Sequence, residues 1–226
     1  MKQAEPSQHL PQLRYAGRVL VVIGLLDILL MIVAVMNRVS YSSSLNIFAV
    51  IAGVFLMRGS LRAASLVRWF AFFLVAAMGA GVLALPFVQP LGLTWARVHS
   101  QPGASAMDGA FFLVVLAIMI WLARSLGAPQ IVAARTRAGR PKRDMRIPSA
   151  LGVILVVGLV LTSAAVQRSE SAARAVHEAR LQLGDGYNYH VSSLNFRSGP
   201  DGTVVHGVVT AWRSDAVRDI PFRWRE

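Results

Sequence analysis

Five runs of apolar residues, at 19–36, 41–57, 69–88, 109–126 and 150–166, alternate with short polar connections, and the pattern then changes character for the last sixty residues. A hydrocarbon core of roughly 30 Å requires about 20 apolar residues in a helix, so each run reads as a candidate membrane span. The first, Val19 to Met36, is longer than the core of a cleavable leader, carries Asp27 in its middle, and lacks a small-x-small cleavage site before Ser42-Ser43-Ser44. It is expected to stay attached. The second, Tyr41 to Met57, is shorter and polar at its outer end, which calls for support from neighbouring helices or local bilayer thinning. The third starts at Trp69, an interfacial aromatic beside Arg68, and ends at Pro86 and Pro90. Residues 91–108 are expected to form a loop whose Leu91 to Trp95 portion lies along the outer membrane–water boundary.

From Gln167 onward the periodicity is that of a solvated domain. Ala172, Val176, Ala179 and Leu183 recur at helical spacing, and Gly184-Asp185-Gly186 stops the helix. Three strand candidates follow at 187–196, 203–212 and 220–224, the last alternating Ile220, Phe222 and Trp224 with Pro221, Arg223 and Arg225. The turn sequence Ser198-Gly199-Pro200-Asp201-Gly202 makes the first two a hairpin. Centred near Pro200, it places His206 opposite about Ser193 and His190 opposite about Val209. Asp215, Arg218 and Asp219 read as a solvated turn. The expected fold class is therefore an integral membrane protein: an all-α domain of five transmembrane helices, then a small α+β domain of one helix on a three-stranded antiparallel sheet, residues 167–226. At this size the domain is near the lower limit for folding alone.

Composition agrees: 55% of the residues are hydrophobic and only 15% charged, too apolar for an ordinary soluble domain. The net charge of +12 would point to nucleic acid if it lay on one soluble face. Instead it is concentrated in short connections. Lys2, Arg14 and Arg18 lie in the N-terminal tail, 1–18, expected to be largely disordered. Arg58, Arg62 and Arg68 follow the second run. Arg124, Arg135, Arg137, Arg140, Lys142, Arg143 and Arg146 flank or fill the connection at 127–149, against the single acid Asp144. The two alternate connections hold only Arg38 and Arg97. Thirteen cations against two put the N-terminus in the cytoplasm and, after five crossings, the C-terminal domain outside a bacterial inner membrane. The preference for arginine over lysine suggests a GC-rich bacterial genome. The 127–149 connection is also expected to meet anionic lipid headgroups, at on the order of 1 kcal/mol per cation.

Candidate chemistry is sparse. There is no cysteine, which excludes disulfides, thiolate metal sites and a cysteine nucleophile. No spacing of His, Asp or Glu suggests a metal, no cofactor motif appears, and no nucleophile motif suggests an enzyme. Asp27 is the one acid inside an expected span, a costly placement that makes it either a helix-pairing group or a proton site. Ala77 and Gly81 stand four apart and would allow close helix packing, within the chain or in a homo-oligomer. Trp212, Phe222 and Trp224 are candidate anchors for an envelope protein partner, competing with packing against the domain's own helix. The favoured expectation is a non-enzymatic interaction protein. The alternative is a small transporter or channel subunit organised around Asp27. Under that alternative Asp27→Asn abolishes flux while assembly is kept, so liposome flux indifferent to the substitution removes it.

Overall fold

A computed structural model describes residues 10–37, 46–139, 143–199, 202–214 and 216–225. Its elements are eight helices, α1 (Leu10–Met36), α2 (Asn46–Met57), α3 (Leu61–Val88), α4 (Leu91–Ser100), α5 (Pro102–Ser125), α6 (Pro129–Arg137), α7 (Arg146–Gln167) and α8 (Glu170–Leu183), followed by three strands, β1 (Asn188–Gly199), β2 (Gly202–Arg213) and β3 (Ala216–Arg225). Among the described residues four helices, α1, α3, α5 and α7, are long and apolar enough to cross a membrane. The second expected span appears as α2, 12 residues or about 18 Å of helix, with Tyr41 to Leu45 outside the described residues. The chain divides into two compact units, one made of Met1–Ala76 with Leu116–Leu151 and the other of Ala77–Val115 with Gly152–Glu226.

In the first unit α1 and α2 are antiparallel and touch backbone to backbone. A Cβ placed on Gly17 would lie 2.6 Å from the Gly53 carbonyl oxygen, and one on Gly53 would lie 2.7 Å from that of Gly17. Leu13, Ala16, Leu20 and Leu56 extend this seam into a core shared with Ala64 and Ala71 of α3, Leu122 of α5, and Leu126 and Ile131 beyond it. The N-terminal tail is thus shorter than expected: helix begins at Leu10. Leu13, Ala16, Gly17 and Leu20 recur at helical spacing and have a core to enter, while Pro11 falls in the first turn, where a missing N–H costs nothing. The basic connection at 127–149 likewise contains a helix, α6, with Pro129 in its first turn and Ile131 in the core.

In the second unit, the expected loop at 91–108 is instead α4 and the first turns of α5. Pro90 and Pro102 each stand where a helix begins, with φ already suited to it. Asp108 consequently lies within α5, exposed, rather than in a loop. Ser169 caps α8, its Oγ accepting from the Ala172 N–H at 3.2 Å, and Gly184 closes the helix at φ 80°. Ala172, Ala175 and Ala179 of α8 pack on Val191 and Val209, with Ile220, Phe222 and Trp224 along the margin. Small alanines on this stripe let the helix lie close to the sheet.

The sheet has the order β1-β2-β3, antiparallel throughout. Its register differs from the expected one: His206 faces Asn195 and His190 faces Thr210. The strands run right to Gly199 and Gly202, so the connection is tighter than the five-residue turn suggested, and a bulge between Val191 and Ser193 then shifts the ladder by one. Arg218 and Asp219 belong to β3, paired with Ala211 and Thr210, and not to a turn, because β2 and β3 also close tightly through Arg213 and Ala216. Asp215 lies outside the described residues. Just past the bulge, opposite Leu194, sits Gly207, where a Cβ would overlap the Ser193 carbonyl oxygen and meet the Phe222 ring at 2.8 Å. Gly207→Ala is expected to destabilise the full-length protein by about 1–3 kcal/mol through overpacking. Gly186→Ala, where added volume meets nothing within 4 Å, should stay within about 0.5 kcal/mol. Thermal unfolding followed by tryptophan fluorescence compares the two.

Candidate functional site

The sheet has two faces, and they are covered differently. Ala211, Val209, Gly207 and Val205 of β2 point to the α8 side, and all are buried. The residues between them, Trp212, Thr210, Val208, His206 and Val204, point to the other side. Their partners divide that face into cross-strand rows. Trp212 pairs with Val217, Thr210 with His190 and Asp219, Val208 with Ser193 and Pro221, His206 with Asn195 and Arg223, and Val204 with Arg197 and Arg225.

The first row lies under α4. Leu93 and Ala96, both buried, pack on Trp212 and Val217, and a Cβ on Gly92 would stand 3.3 Å from the Trp212 indole nitrogen. In the second row the Thr210 hydroxyl, fully buried, donates to the Asp219 carboxylate at 2.6 Å and meets the Ser192 hydroxyl at 2.6 Å. A carboxylate is thereby tied down beside α4. Burial holds the His190 imidazole below its ordinary value of 6.5, and the nearby Arg97 guanidinium of α4 adds to the shift.

The last rows are uncovered and form an open concavity of about 590 Å³. Arg197, Arg223 and Arg225 line it with His206 and Asn195, all exposed, and no acid is among the lining residues described. Among the described residues the two ion pairs of this domain, Arg174 with Glu178 and Arg180 with Asp185, involve α8 and the turn after it. Three guanidinium groups on the two strands that flank β2, with no acid among the described lining residues, make a surface suited to phosphate or carboxylate oxygens, which arginine can grip bidentately.

The other sequence-derived candidates are dispersed. Asp27 is half-buried on α1. Ala77 and Gly81 lie on α3, where a Cβ on Gly81 meets no atom within 4 Å; among the described residues a close approach of two helices is made at Gly17 and Gly53. Arg135 is buried on α6 beside Ile131, whereas Arg137, Arg143 and Arg146 are exposed, the last opening α7; Arg140 and Lys142 lie outside the described residues. Arg68 sets its guanidinium over the Phe72 ring at 5.6 Å and beside Gly127, past the end of α5, where the helix dipole favours a cation. Trp212 is 8% exposed beneath α4, and Phe222 and Trp224 stack at 4.8 Å on the α8 side, so none stands out as a free anchor. Packing inside the domain takes all three. Among the described residues no three His, Asp or Glu side chains gather as a metal would require.

The signal for the arginine rows was partly visible: alternation in β3 places Arg223 and Arg225 on one face. Arg197 and His206 join them only through the register. No family model, no curated protein and no solved structure matches this chain. Its apolar helices are compatible with a membrane protein, and its role rests on the geometry.

A group whose folded-state pKa is depressed in this way binds its proton more readily when unfolded. The stability His190 contributes is therefore present above pH 6.5 and is lost as the pH falls below that value toward the folded-state pKa. The unfolding temperature of the full-length protein should drop on acidification through this window, and His190→Gln should flatten the dependence.

Proposed function

We propose that this chain is a non-enzymatic interaction protein of the bacterial inner membrane, whose C-terminal domain presents its arginine-lined groove to an anionic partner in the cell envelope. The observation that carries this reading is the contrast within the domain. Residues from Gln167 onward hold eight arginines against seven acids, yet the described lining of the groove holds three arginines and no acid. Charge mixed along the domain and one-signed among the described lining residues is what a binding face for anions requires.

Five crossings, with the N-terminus in the cytoplasm and the domain outside, is the topology this reading needs. The antiparallel seam of α1 and α2 supports it, since the start of α1, with Arg14 and Arg18, lies beside the end of α2, with Arg58. A short helix that returns the chain to its starting side counts as a pass, and α2's length deficit is one that bilayer thinning or its seam with α1 can accommodate.

Two measurements test the proposal together. A reporter fused after Glu226 should be active only outside the cytoplasm. A photo-crosslinking side chain at His206 should form adducts in intact cells that one at Arg174, on the opposite side of the domain, does not. A cytoplasmic reporter signal, or adducts no more frequent at His206 than at Arg174, overturns it.

A further inference from the structure

The helix α4 is apolar on two opposite sides. At about 100° per residue, Leu93 and Ala96 lie on one side of the wheel and Leu91, Trp95 and Val98 on the other. The first pair is buried against Trp212 and Val217. The second set is exposed, Leu91 at 65%, Trp95 at 67% and Val98 at 38%. What covers this second side follows from connectivity. Gln89 and Pro90 alone separate α4 from the end of α3, and Gln101 alone separates it from the start of α5; both neighbours are long and apolar enough to cross a membrane. A helix tied at both ends to spans lies at the bilayer surface, and a Leu-Trp-Val stripe, with the His99 ring against Trp95 at 5.2 Å, is suited to the headgroup–acyl boundary.

The sheet then rests on α4 as α4 rests on the bilayer. The face of the sheet that α4 covers is the same face that carries Arg197, His206, Arg223 and Arg225. His206 is six residues from Trp212, roughly 20 Å along the strand, beyond the contacts of a ten-residue helix about 15 Å long. The cationic rows therefore overhang the membrane surface with nothing from α4 among their lining residues. The heights agree as well. A helix about 10 Å across that is sunk roughly 5–10 Å leaves the sheet's side chains within the headgroup layer, roughly 5–7 Å thick on each side of the hydrocarbon.

We infer that the groove binds the phosphate of an anionic phospholipid in the leaflet beneath it, with α4 as the spacer that holds the arginine rows at headgroup height. This rests on the reading of the groove as an anion-binding face and names its partner. Arg223 and Arg225 on β3 and Arg197 on β1 grip the phosphate from both sides of β2, and Asn195 and His206 donate further hydrogen bonds. The acyl chains stay in the bilayer.

The chain has no cysteine, so Ser198→Cys provides a single labelling position at the hairpin end of the groove. The full-length protein, labelled there with a fluorophore, is placed in nanodiscs of phosphatidylcholine alone or mixed with phosphatidylglycerol, each carrying headgroup nitroxides as quenchers. Quenching should rise with phosphatidylglycerol. Neutralising Arg223 and Arg225 by R223Q/R225Q should weaken that preference roughly fivefold per arginine removed, and R223K/R225K should restore most of it. R137Q/R143Q, outside the groove, should leave it unchanged, which separates the groove from the basic connection before α7. An unchanged thermal unfolding profile certifies that the groove variants are folded. Quenching independent of lipid charge overturns the inference. So does full displacement by glycerol phosphate in solution, which would make the ligand a soluble anion. Adducts from His206 to protein in place of lipid overturn it too, while leaving the proposed function standing; equal adduct formation at His206 and Arg174 removes both.

Discussion

The contact on which the C-terminal half depends is the seam between α4 and the sheet. Leu93 and Ala96 meet Trp212 and Val217 there, and Trp212 is the largest side chain buried in that seam. Burying an aromatic of this size removes on the order of 150–250 Å² from water, several kcal/mol of driving force for a domain that would otherwise have a core on one face only. It also decides how the sheet is used. One end of its outer face is closed by α4, and the other end, with its arginines, stays open. A small helix-on-sheet domain near the lower size limit gains a second core in this way without adding residues.

The same economy operates at the other end of the chain. Between α1 and α2 the contact is glycine on glycine, Gly17 against Gly53, which brings two backbones close enough for dispersion to hold a helix of only 12 residues. Among the described residues of this unit the buried polar side chains are Ser65 and Arg135. Arg68 over Phe72 and Arg135 buried beside Ile131 show guanidinium groups keeping their stems in apolar surroundings, a use lysine's compact ammonium serves less well. Arginine in these connections therefore has a packing role in addition to its role in orienting the chain.

Much of this was legible along the chain. Long runs of apolar residues announce α3, α5 and α7 because the bilayer demands internal satisfaction of every backbone hydrogen bond, and only a long helix supplies it. The alternation of Ile220, Phe222 and Trp224 with charged residues announced β3, and Ser169 with Gly184 marked α8, because caps and periodicity are local. Less legible were the elements whose reason is a distant surface. Residues 91–100 read as a loop since their apolar positions fall on both sides of a helix and so show no single stripe. Leu10 to Arg18 read as a tail because the partner of Leu13 and Ala16 lies dozens of residues away.

The long apolar helices, α8, the three strands in their order and the sign of charge in each connection were legible in the sequence alone, since hydropathy, capping and peptide geometry act over a few residues. The tertiary structure decided which side chains share a place. Arg197 and Arg225 lie 28 positions apart, and the two tight connections that set the ladders of β1 and β3 on β2 determine whether they meet across a strand; that register is a property of the paired strands and of neither strand by itself.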